Sequence, residues 1–174
     1  MPLTYGSYLR LDELLDLQTP VSDGPEHDEM LFIVIHQVYE LWFKEILHEM
    51  DHLKRLLAAH DTPRAGHTLK RILTILKVLV AQIDVLETMT PLEFLSFRDR
   101  LESGSGFQSF KFRALEFALG QKRESAVRHY PEDSPARRML EERLRRPSIW
   151  DSFLHYLARR GYDVPQSQLE RDVT

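Results

Sequence analysis

The sequence predicts an all-α fold, a bundle of helices packed on one another. Apolar residues recur at spacings of three and four along most of the chain, which is helical periodicity. Proline follows threonine where two such stretches begin, at Thr62–Pro63 and Thr90–Pro91, and proline favours the first turn of a helix. No convincing alternation of apolar and polar residues predicts a strand. The 174 residues, 43% of them hydrophobic, suffice for a single helical domain over 1–174.

Composition argues against several classes of protein. The net charge is −4, from 23 Lys and Arg against 27 Asp and Glu, whereas a general nucleic-acid binder should be basic. The sequence has no cysteine, so it offers no disulfide and no thiolate ligand, which is compatible with the cytoplasm. Its longest purely apolar run, Met30–Ile35, is far too short to cross a bilayer, so we expect no membrane insertion.

The N-terminal half predicts three helices. The first covers Tyr8–Leu17, and the loop "QTPVSDGPE" follows it, with two prolines and a glycine. A long helix begins near Asp28, since acidic residues favour a helix N-terminus, and it ends near Ala59. The third helix has Thr62 as its N-cap and Pro63 in its first position. Its apolar residues follow helical spacing: Leu69, Ile72, Leu73, Leu76, Leu79, Val80 and Ile83.

The C-terminal half predicts four more helices. Thr90 is the N-cap of "TPLEFLSFRDRL", Pro91 follows it, and Glu93 completes a capping box. The segment "SGSGFQS" interrupts the pattern, and "FKFRALEFALG" resumes it up to Gly120, a favoured residue after a helix C-terminus. The segments "SPARRMLEERLRR" and "PSIWDSFLHYLARRG" predict the last two helices, the second of which is closed by Gly161.

Two histidine patterns on the long helix compete as candidate sites, and the first is a zinc pattern. His48, Glu49 and His52 spell H-E-x-x-H, in which a zinc peptidase places two ligands one turn apart with a glutamate base between them. Such an enzyme also needs a third protein ligand and a cleft. No third ligand is marked by spacing, and the triplet falls on the polar face of the helix. Solvated polar side chains are the favoured interpretation, and a zinc hydrolase is the lesser one.

His36 is the second candidate. It lies at the edge of an apolar stripe, one turn from Phe32 and close to Tyr39 and Phe43, where an apolar pocket could form. A histidine beside an apolar face can be an ordinary packing residue, and periodicity alone does not separate that role from a binding role. The stripe consists of Phe32, Ile35, Tyr39, Trp42, Phe43, Ile46, Met50, Leu53 and Leu57.

Arg98 adds an independent feature. It shares one helical face with Phe94 and Phe97, and a guanidinium on an apolar face requires an anion. A carboxylate is the natural bidentate partner. This anion is either internal, with Glu40 and Glu116 as candidates, or it belongs to a ligand.

The glycine-rich "SGSGFQS" follows the Arg98 helix. Its backbone N–H groups and Ser105 suit an anionic group, although an ordinary flexible turn has the same composition. Together with His36 and Arg98, this segment predicts a site for a small molecule that is part aromatic and part carboxylate.

Four longer segments carry a resemblance to a known family. They are "LTYGSYLRLDELL", "HDEMLFIVIHQVYELWFKEILHE", "LETMTPLEFLSFRDRLESGSGFQSFKFRALEFALG" and "PSIWDSFLHYLARRG". In register from about Leu3 to Thr174, the chain resembles the tryptophan 2,3-dioxygenases. The resemblance implies an oxidoreductase that opens the indole ring of L-tryptophan with O2 on haem b (iron). The product is N-formyl-L-kynurenine, and the reaction begins tryptophan catabolism along the kynurenine pathway.

The resemblance assigns roles to residues of the central part. His36 matches the active-site histidine that hydrogen-bonds the indole N–H of the substrate. Phe32 and Phe94 match residues that wall the substrate pocket, and Phe94 stands where some relatives have tyrosine. Arg98 matches the arginine that holds the substrate carboxylate, and Ser105 matches a serine near the haem edge and its propionate. Whether His36 removes the indole proton or only orients the ring stays open.

Further implications concern the two ends of the chain. Tyr5, Tyr8 and Leu9 match an N-terminal segment that, in the family's homotetramer, reaches into the active site of the neighbouring subunit. Family members continue past the point that matches Thr174, and their haem-ligating histidine lies in that further part. The resemblance therefore implies a partial chain with no metal ligand of its own. The alternative function is a helical binding or assembly module that keeps the aromatic, histidine and arginine pocket without catalysis.

Overall fold

The computed structural model describes residues 2–24, 26–102 and 104–172, and these ranges contain helices and no strand. The all-α prediction is confirmed. Pro25, in the predicted first loop, and Ser103, the first residue of "SGSGFQS", lie outside the described residues. In chain order the helices are α1 Tyr5–Leu9, α2 Leu11–Leu15, α3 Asp28–Ala58, α4 Thr62–Leu86, α5 Pro91–Arg98, α6 Phe110–Leu119, α7 Glu124–Val127, α8 Pro135–Arg145, α9 Ile149–Arg159 and α10 Gln166–Leu169, with 3-10 turns at Asp99–Leu101 and Gly106–Gln108.

Helix α3 is the centre of the fold, because it packs against α4, α5, α6 and α9. Its bounds agree with the predicted helix to within one residue. The predicted apolar stripe faces the core, where Ile46 is fully buried and Met50 is 2% exposed. Further packing joins α6 to α8 and α9 to α10. Within the described ranges no helix is both long and apolar enough to cross a membrane.

The N-terminal prediction is wrong in its bounds. One helix over Tyr8–Leu17 was expected, but two short helices, α1 and α2, meet at Arg10, whose φ is 52°. Helix α1 begins earlier because the Thr4 side chain accepts the Ser7 N–H and a capping box forms. Neither helix buries any residue.

The capping predictions hold at most other helix ends. Thr90 caps α5 and forms the predicted capping box with Glu93, and Gly120 follows α6 in a left-handed conformation with φ of 107°. The predicted cap of α4 is wrong by one residue. Asp61 caps this helix instead of Thr62, because its carboxylate accepts an N–H of the first turn.

Helix α4 carries apolar residues on two sides, and only one side faces the core. Ile72 and Leu79 are buried, at 3% and 7% exposure. Four other residues of the predicted spacing are between 44% and 67% exposed: Leu69, Leu73, Val80 and Ile83. An apolar surface of this kind is typical of a protein–protein contact.

The polar side of α3 differs from the prediction of solvated side chains. Glu49 is only 6% exposed, and its Oε1 accepts a hydrogen bond from Arg71 Nη1 on α4 at 2.6 Å. Asp51 accepts two parallel hydrogen bonds from Arg143 of α8, at 2.7 and 2.6 Å. Helical periodicity showed these residues as polar but could not show that arginines of two other helices would cover them.

A buried carboxylate holds the loop that precedes α3. Glu29 is 1% exposed and accepts hydrogen bonds from the backbone N–H groups of Val21 and Ser22, at 2.7 and 3.1 Å. Burial alone would raise the pKa of Glu29, but hydrogen bonding by Ser22 and the Val21 backbone, together with the positive charge of Arg100, outweighs burial, and the pKa lies below its usual value. The interaction fixes the approach of the chain to the start of α3.

Candidate functional site

The site is built on rings contributed by α3 and α5. The ring of His36 lies 4.1 Å from that of Phe32, centroid to centroid. Phe32 in turn contacts Phe94 at 5.8 Å and Phe97 at 5.6 Å. Phe94 and Phe97 meet edge to face at 5.6 Å, and Phe97 is fully buried. The structure thus brings together three of the predicted site residues, His36, Phe32 and Phe94, around the buried ring of Phe97. The sequence had placed Phe97 on the same helical face as Phe94 but had not predicted it as a site residue.

The orientation of His36 is fixed by its own helix. Its Nδ1 lies 2.7 Å from the carbonyl oxygen of Phe32. A carbonyl can only accept a hydrogen bond, so Nδ1 carries the proton, and in the neutral imidazole Nε2 is left as an acceptor. A Cβ atom placed on Gly106 would lie 3.8 Å from this Nε2. The free acceptor therefore faces the backbone of the "SGSGFQS" segment.

A cavity of about 370 Å³ opens beside His36. It lies beside Tyr39 and Phe43, where a pocket was predicted, and the predicted Ser105 lines it. The predicted Phe32, Phe94 and Arg98 are not among its lining residues. The described residues that line it are His36, Tyr39, Glu40, Phe43, Ser105, Gly106, Phe107, Ser109 and Phe112.

A larger cavity, of about 420 Å³, lies between α4 and α9 but offers less chemistry. Its two hydroxyl groups, on Thr62 and Tyr156, hydrogen-bond each other at 2.7 Å. Apart from the indole N–H of Trp150, its remaining lining is apolar, with no charged side chain and no imidazole among the described residues. Of these two cavities, the smaller one beside His36 is therefore the better candidate for a polar aromatic ligand.

Ser105 begins a compact turn at the rim of the His36 cavity. Its Oγ accepts the Phe107 N–H at 3.3 Å, and its own N–H donates to Gln108 Oε1, also at 3.3 Å. The Tyr130 hydroxyl donates to the carbonyl of Gln108 at 3.1 Å, which ties the turn to the segment after α7. The turn is ordered by these bonds, and the hydroxyl hydrogen of Ser105 is not used in them.

Arg98 lies one turn after Phe94 on α5 and is half-buried. Its Nη1 donates to the carbonyl oxygen of Glu102 at 3.1 Å. The two internal carboxylates considered as partners are engaged elsewhere: Glu40 pairs with Lys111, and Glu116 pairs with two other arginines. Within the described part of the chain, Arg98 makes no ion pair with a carboxylate. The Arg98 guanidinium is therefore available to a carboxylate of a ligand.

Tyr5, Tyr8 and Leu9 are not joined to this site within one protomer. They are 75%, 71% and 41% exposed on α1, and none of them lines the His36 cavity. Gly106, by contrast, lies beside His36, although the sequence analysis had named only the glycine-rich segment that contains it. Only its glycine identity, next to a predicted site serine, could have drawn attention to it.

The H-E-x-x-H triplet has a different environment. His48 is exposed and His52 is half-buried, while Glu49, which would serve as the base of a zinc peptidase, is held by Arg71. Among the residues that the structure describes, no three His, Asp or Glu side chains come together as a metal site.

Comparison with known proteins decides the family. The profile of tryptophan 2,3-dioxygenase matches residues 1–159. The chain belongs to the tryptophan 2,3-dioxygenase family. The tryptophan 2,3-dioxygenase of Herpetosiphon aurantiacus is 63% identical to it over 172 residues. Those of Anaeromyxobacter sp. strain K and Caulobacter vibrioides are 53% and 48% identical, over 163 and 172 residues.

These relatives are longer proteins. The alignments cover 99%, 94% and 99% of this chain, but only 66%, 61% and 65% of the three relatives. The chain thus spans slightly less than two thirds of the length of the tryptophan 2,3-dioxygenases that it matches.

Proposed function

We propose that the chain provides the substrate side of a haem-dependent tryptophan 2,3-dioxygenase, which opens the indole ring of L-tryptophan with O2 to give N-formyl-L-kynurenine. The observation that carries the proposal is the geometry of His36. Its Nδ1 is committed to the Phe32 carbonyl, and its Nε2 is left as an acceptor beside an aromatic cluster. The indole of tryptophan has an N–H that can donate to this Nε2 and an aromatic ring that can pack on the cluster.

Two ends of the substrate are recognised separately in this proposal. Phe32 and Phe94 wall the indole ring, while the Arg98 guanidinium holds the carboxylate as a two-point clamp. A charge-assisted bond of this kind contributes about 1.5–3 kcal/mol. Fixing both ends orients the ring for reaction.

His36 orients the indole in this mechanism and does not remove its proton. The residue bonded to Nδ1 is a neutral backbone carbonyl. A carboxylate at that position would stabilise an imidazolium, which is how general-base histidines are commonly supported. The carbonyl fixes the tautomer without supplying that charge, so a neutral acceptor is the role that the contact favours.

The residues at the rim of the His36 cavity have side chains that would suit one face of a haem. Gly106 presents backbone without a side chain, Phe107 offers an apolar ring that is 83% exposed, and the Ser105 hydroxyl can donate to a propionate. No histidine of this chain is assigned as the iron ligand. When bound, the haem iron supplies the activation of O2, and the protein residues position the substrate.

A cytoplasmic homotetramer is also part of the proposal. Helix α1 buries none of its residues, and Tyr5 and Tyr8 are exposed aromatics on it. Insertion of α1 into a neighbouring protomer would cover them and bring Tyr5, Tyr8 and Leu9 to the substrate. The exposed apolar side of α4 offers a second surface for assembly.

The visible spectrum of the purified protein during haem titration tests the proposal. We expect a shifted Soret band and a further change on addition of L-tryptophan. Formation of N-formyl-L-kynurenine in air is expected when the further part of the family's proteins, which supplies the iron ligand, is joined to this chain. Light scattering should give four times the protomer mass of 20.5 kDa. Tryptophan binding without haem uptake would instead favour the non-catalytic binding module, and the absence of both would overturn the assignment.

A further inference from the structure

We propose that Glu40 is a positioning residue, which holds the Ser105–Gly106 turn against His36. The inference rests on the proposed function for its effect on tryptophan, but the contact itself is tested independently below. Glu40 follows His36 by one turn of α3, so both side chains face the same cavity.

The carboxylate of Glu40 is held by two groups at the start of α6. The hydroxyl of Ser109 donates to Oε1, and the ammonium of Lys111 lies 3.1 Å from Oε2. Both oxygens are therefore used, and each bond crosses from α3 to the segment that carries the turn. Ser109 also accepts the Phe112 N–H at 3.1 Å as the N-cap of α6, so its position is fixed from both sides.

The position of Ser109 is transmitted to Gly106 through a short path. The backbone N–H of Ser109 donates to the carbonyl of Gly106 at 3.2 Å. Gly106 is the residue whose Cβ would lie 3.8 Å from His36 Nε2. A shift of Ser109 away from Glu40 would thus change the space in front of the free nitrogen of His36.

The link is placed to orient the turn and adds little to stability. Glu40 and Lys111 are 37% and 28% exposed, and ion pairs that are partly exposed contribute little to folding because solvent screens them. The ring contact between Phe43 and Phe112, at 5.5 Å, joins α3 to α6 without Glu40. Removing the carboxylate should therefore loosen the turn while the helices stay packed.

The experiment compares Glu40→Ala and Glu40→Gln with Glu45→Gln as a matched control on the same helix. Glu45 does not line the His36 cavity and borders the α3–α4 surface instead. Two quantities are measured for each haem-supplied protein: amide hydrogen exchange over residues 106–112, and the Kd for L-tryptophan by calorimetry. The melting temperature is recorded alongside them.

Glu40→Ala should speed exchange over 106–112 and weaken tryptophan binding by about tenfold, the larger end of what one hydrogen bond contributes. Glu40→Gln keeps an oxygen that accepts from Ser109 and should weaken binding by less than about threefold. Glu45→Gln should change neither quantity. In a double-mutant cycle, Glu40→Ala and His36→Ala should be less than additive on the Kd, because both act on the same acceptor.

Unchanged exchange in Glu40→Ala would overturn the inference, as would equal losses of affinity in Glu40→Ala and Glu45→Gln. If the wild type binds no tryptophan while exchange still responds to Glu40→Ala, the proposed function fails and the positioning contact stands. If tryptophan binds but neither quantity responds to Glu40→Ala, the positioning role fails and the proposed function stands.

Discussion

The two histidine-bearing parts of α3 lie on one continuous helix and differ in which atoms are free. Near its start, His36 has one ring nitrogen bonded to Phe32 and the other facing the Gly106 backbone in a cavity. Further along, the zinc-like triplet has one exposed histidine, His48, and one half-buried histidine, His52, while its glutamate, Glu49, is held by Arg71. The H-E-x-x-H pattern thus belongs to the part of α3 whose glutamate is already paired within the fold. Which groups can bind a ligand is set by what packs on each face of the helix.

The glutamates of the two parts repeat this contrast. Glu40 is 37% exposed at a cavity rim, where its partners come from a turn that faces a proposed ligand. The Glu49 side chain is 7% exposed between two helices, where its partner stabilises their packing. Carboxylates on one helix can therefore serve a site or the fold, and burial together with the identity of the partner distinguishes the two.

The largest effect is expected from a substitution in the aromatic cluster beside His36. Phe97→Ala should reduce the free energy of unfolding by about 3–5 kcal/mol, since it empties a fully buried position between two other rings. Urea denaturation measures this loss. Phe107→Ala, at an 83% exposed position, is the control and should change stability by less than about 0.5 kcal/mol. Similar losses in both variants would show that the cluster is not an anchor.

Arg98→Ala sharpens the assignment of the carboxylate end. It should weaken binding of L-tryptophan by about 1.5–3 kcal/mol, because a charge-assisted contact is lost. Indole-type ligands without a carboxylate should bind with nearly unchanged affinity. Calorimetry with both ligands makes the comparison, and equal weakening of the two would remove Arg98 from the substrate clamp.

A smaller, pH-dependent effect on stability is expected from Glu29, which holds the loop that precedes α3. Its pKa in the folded protein lies below the usual value near 4.5, so its stabilisation is complete above that pH and is lost as the pH falls through the folded-state pKa. The free energy of unfolding should therefore decrease as the pH falls below the usual pKa of 4.5. Glu29→Gln should lower stability at neutral pH and flatten this dependence. Parallel pH profiles for the variant and the wild type would contradict the role given to Glu29.

The smallest effects are expected in the zinc-like part. His48→Ala and His52→Ala should each change stability by no more than about 0.5 kcal/mol and leave tryptophan binding unaltered. Metal analysis of the double variant provides a further check. Loss of both activity and bound zinc in that variant would reverse the comparison between the two parts of α3.

Local signals predicted much of the fold. Helical periodicity and the Thr90–Glu93 capping box depend on neighbours within a few residues, and the structure confirms them. The cap of α4 was misplaced because Asp61 and Thr62 are adjacent and both can cap. The break at Arg10 was missed because its left-handed conformation has no glycine to mark it.

The site was predictable where one helix face carries it and less so where separate segments meet. Phe32 and His36 are one turn apart, so their contact follows from periodicity. The proximity of His36 to Gly106 and the link from Glu40 to Ser109 join residues about seventy positions apart. Nothing in the order of residues specifies such contacts, which depend on how α6 packs on α3.

The most direct test of the account is the difference that His36→Ala makes to two ligands. Wild type and variant, both supplied with haem, are each titrated with L-tryptophan and with its analogue methylated at the indole nitrogen, which has no N–H to donate. We expect the variant to weaken tryptophan binding by roughly tenfold but to change binding of the analogue by less than about threefold, because only tryptophan uses the Nε2 acceptor. Equal weakening of both ligands would contradict this expectation and leave His36 as a packing residue of the aromatic cluster.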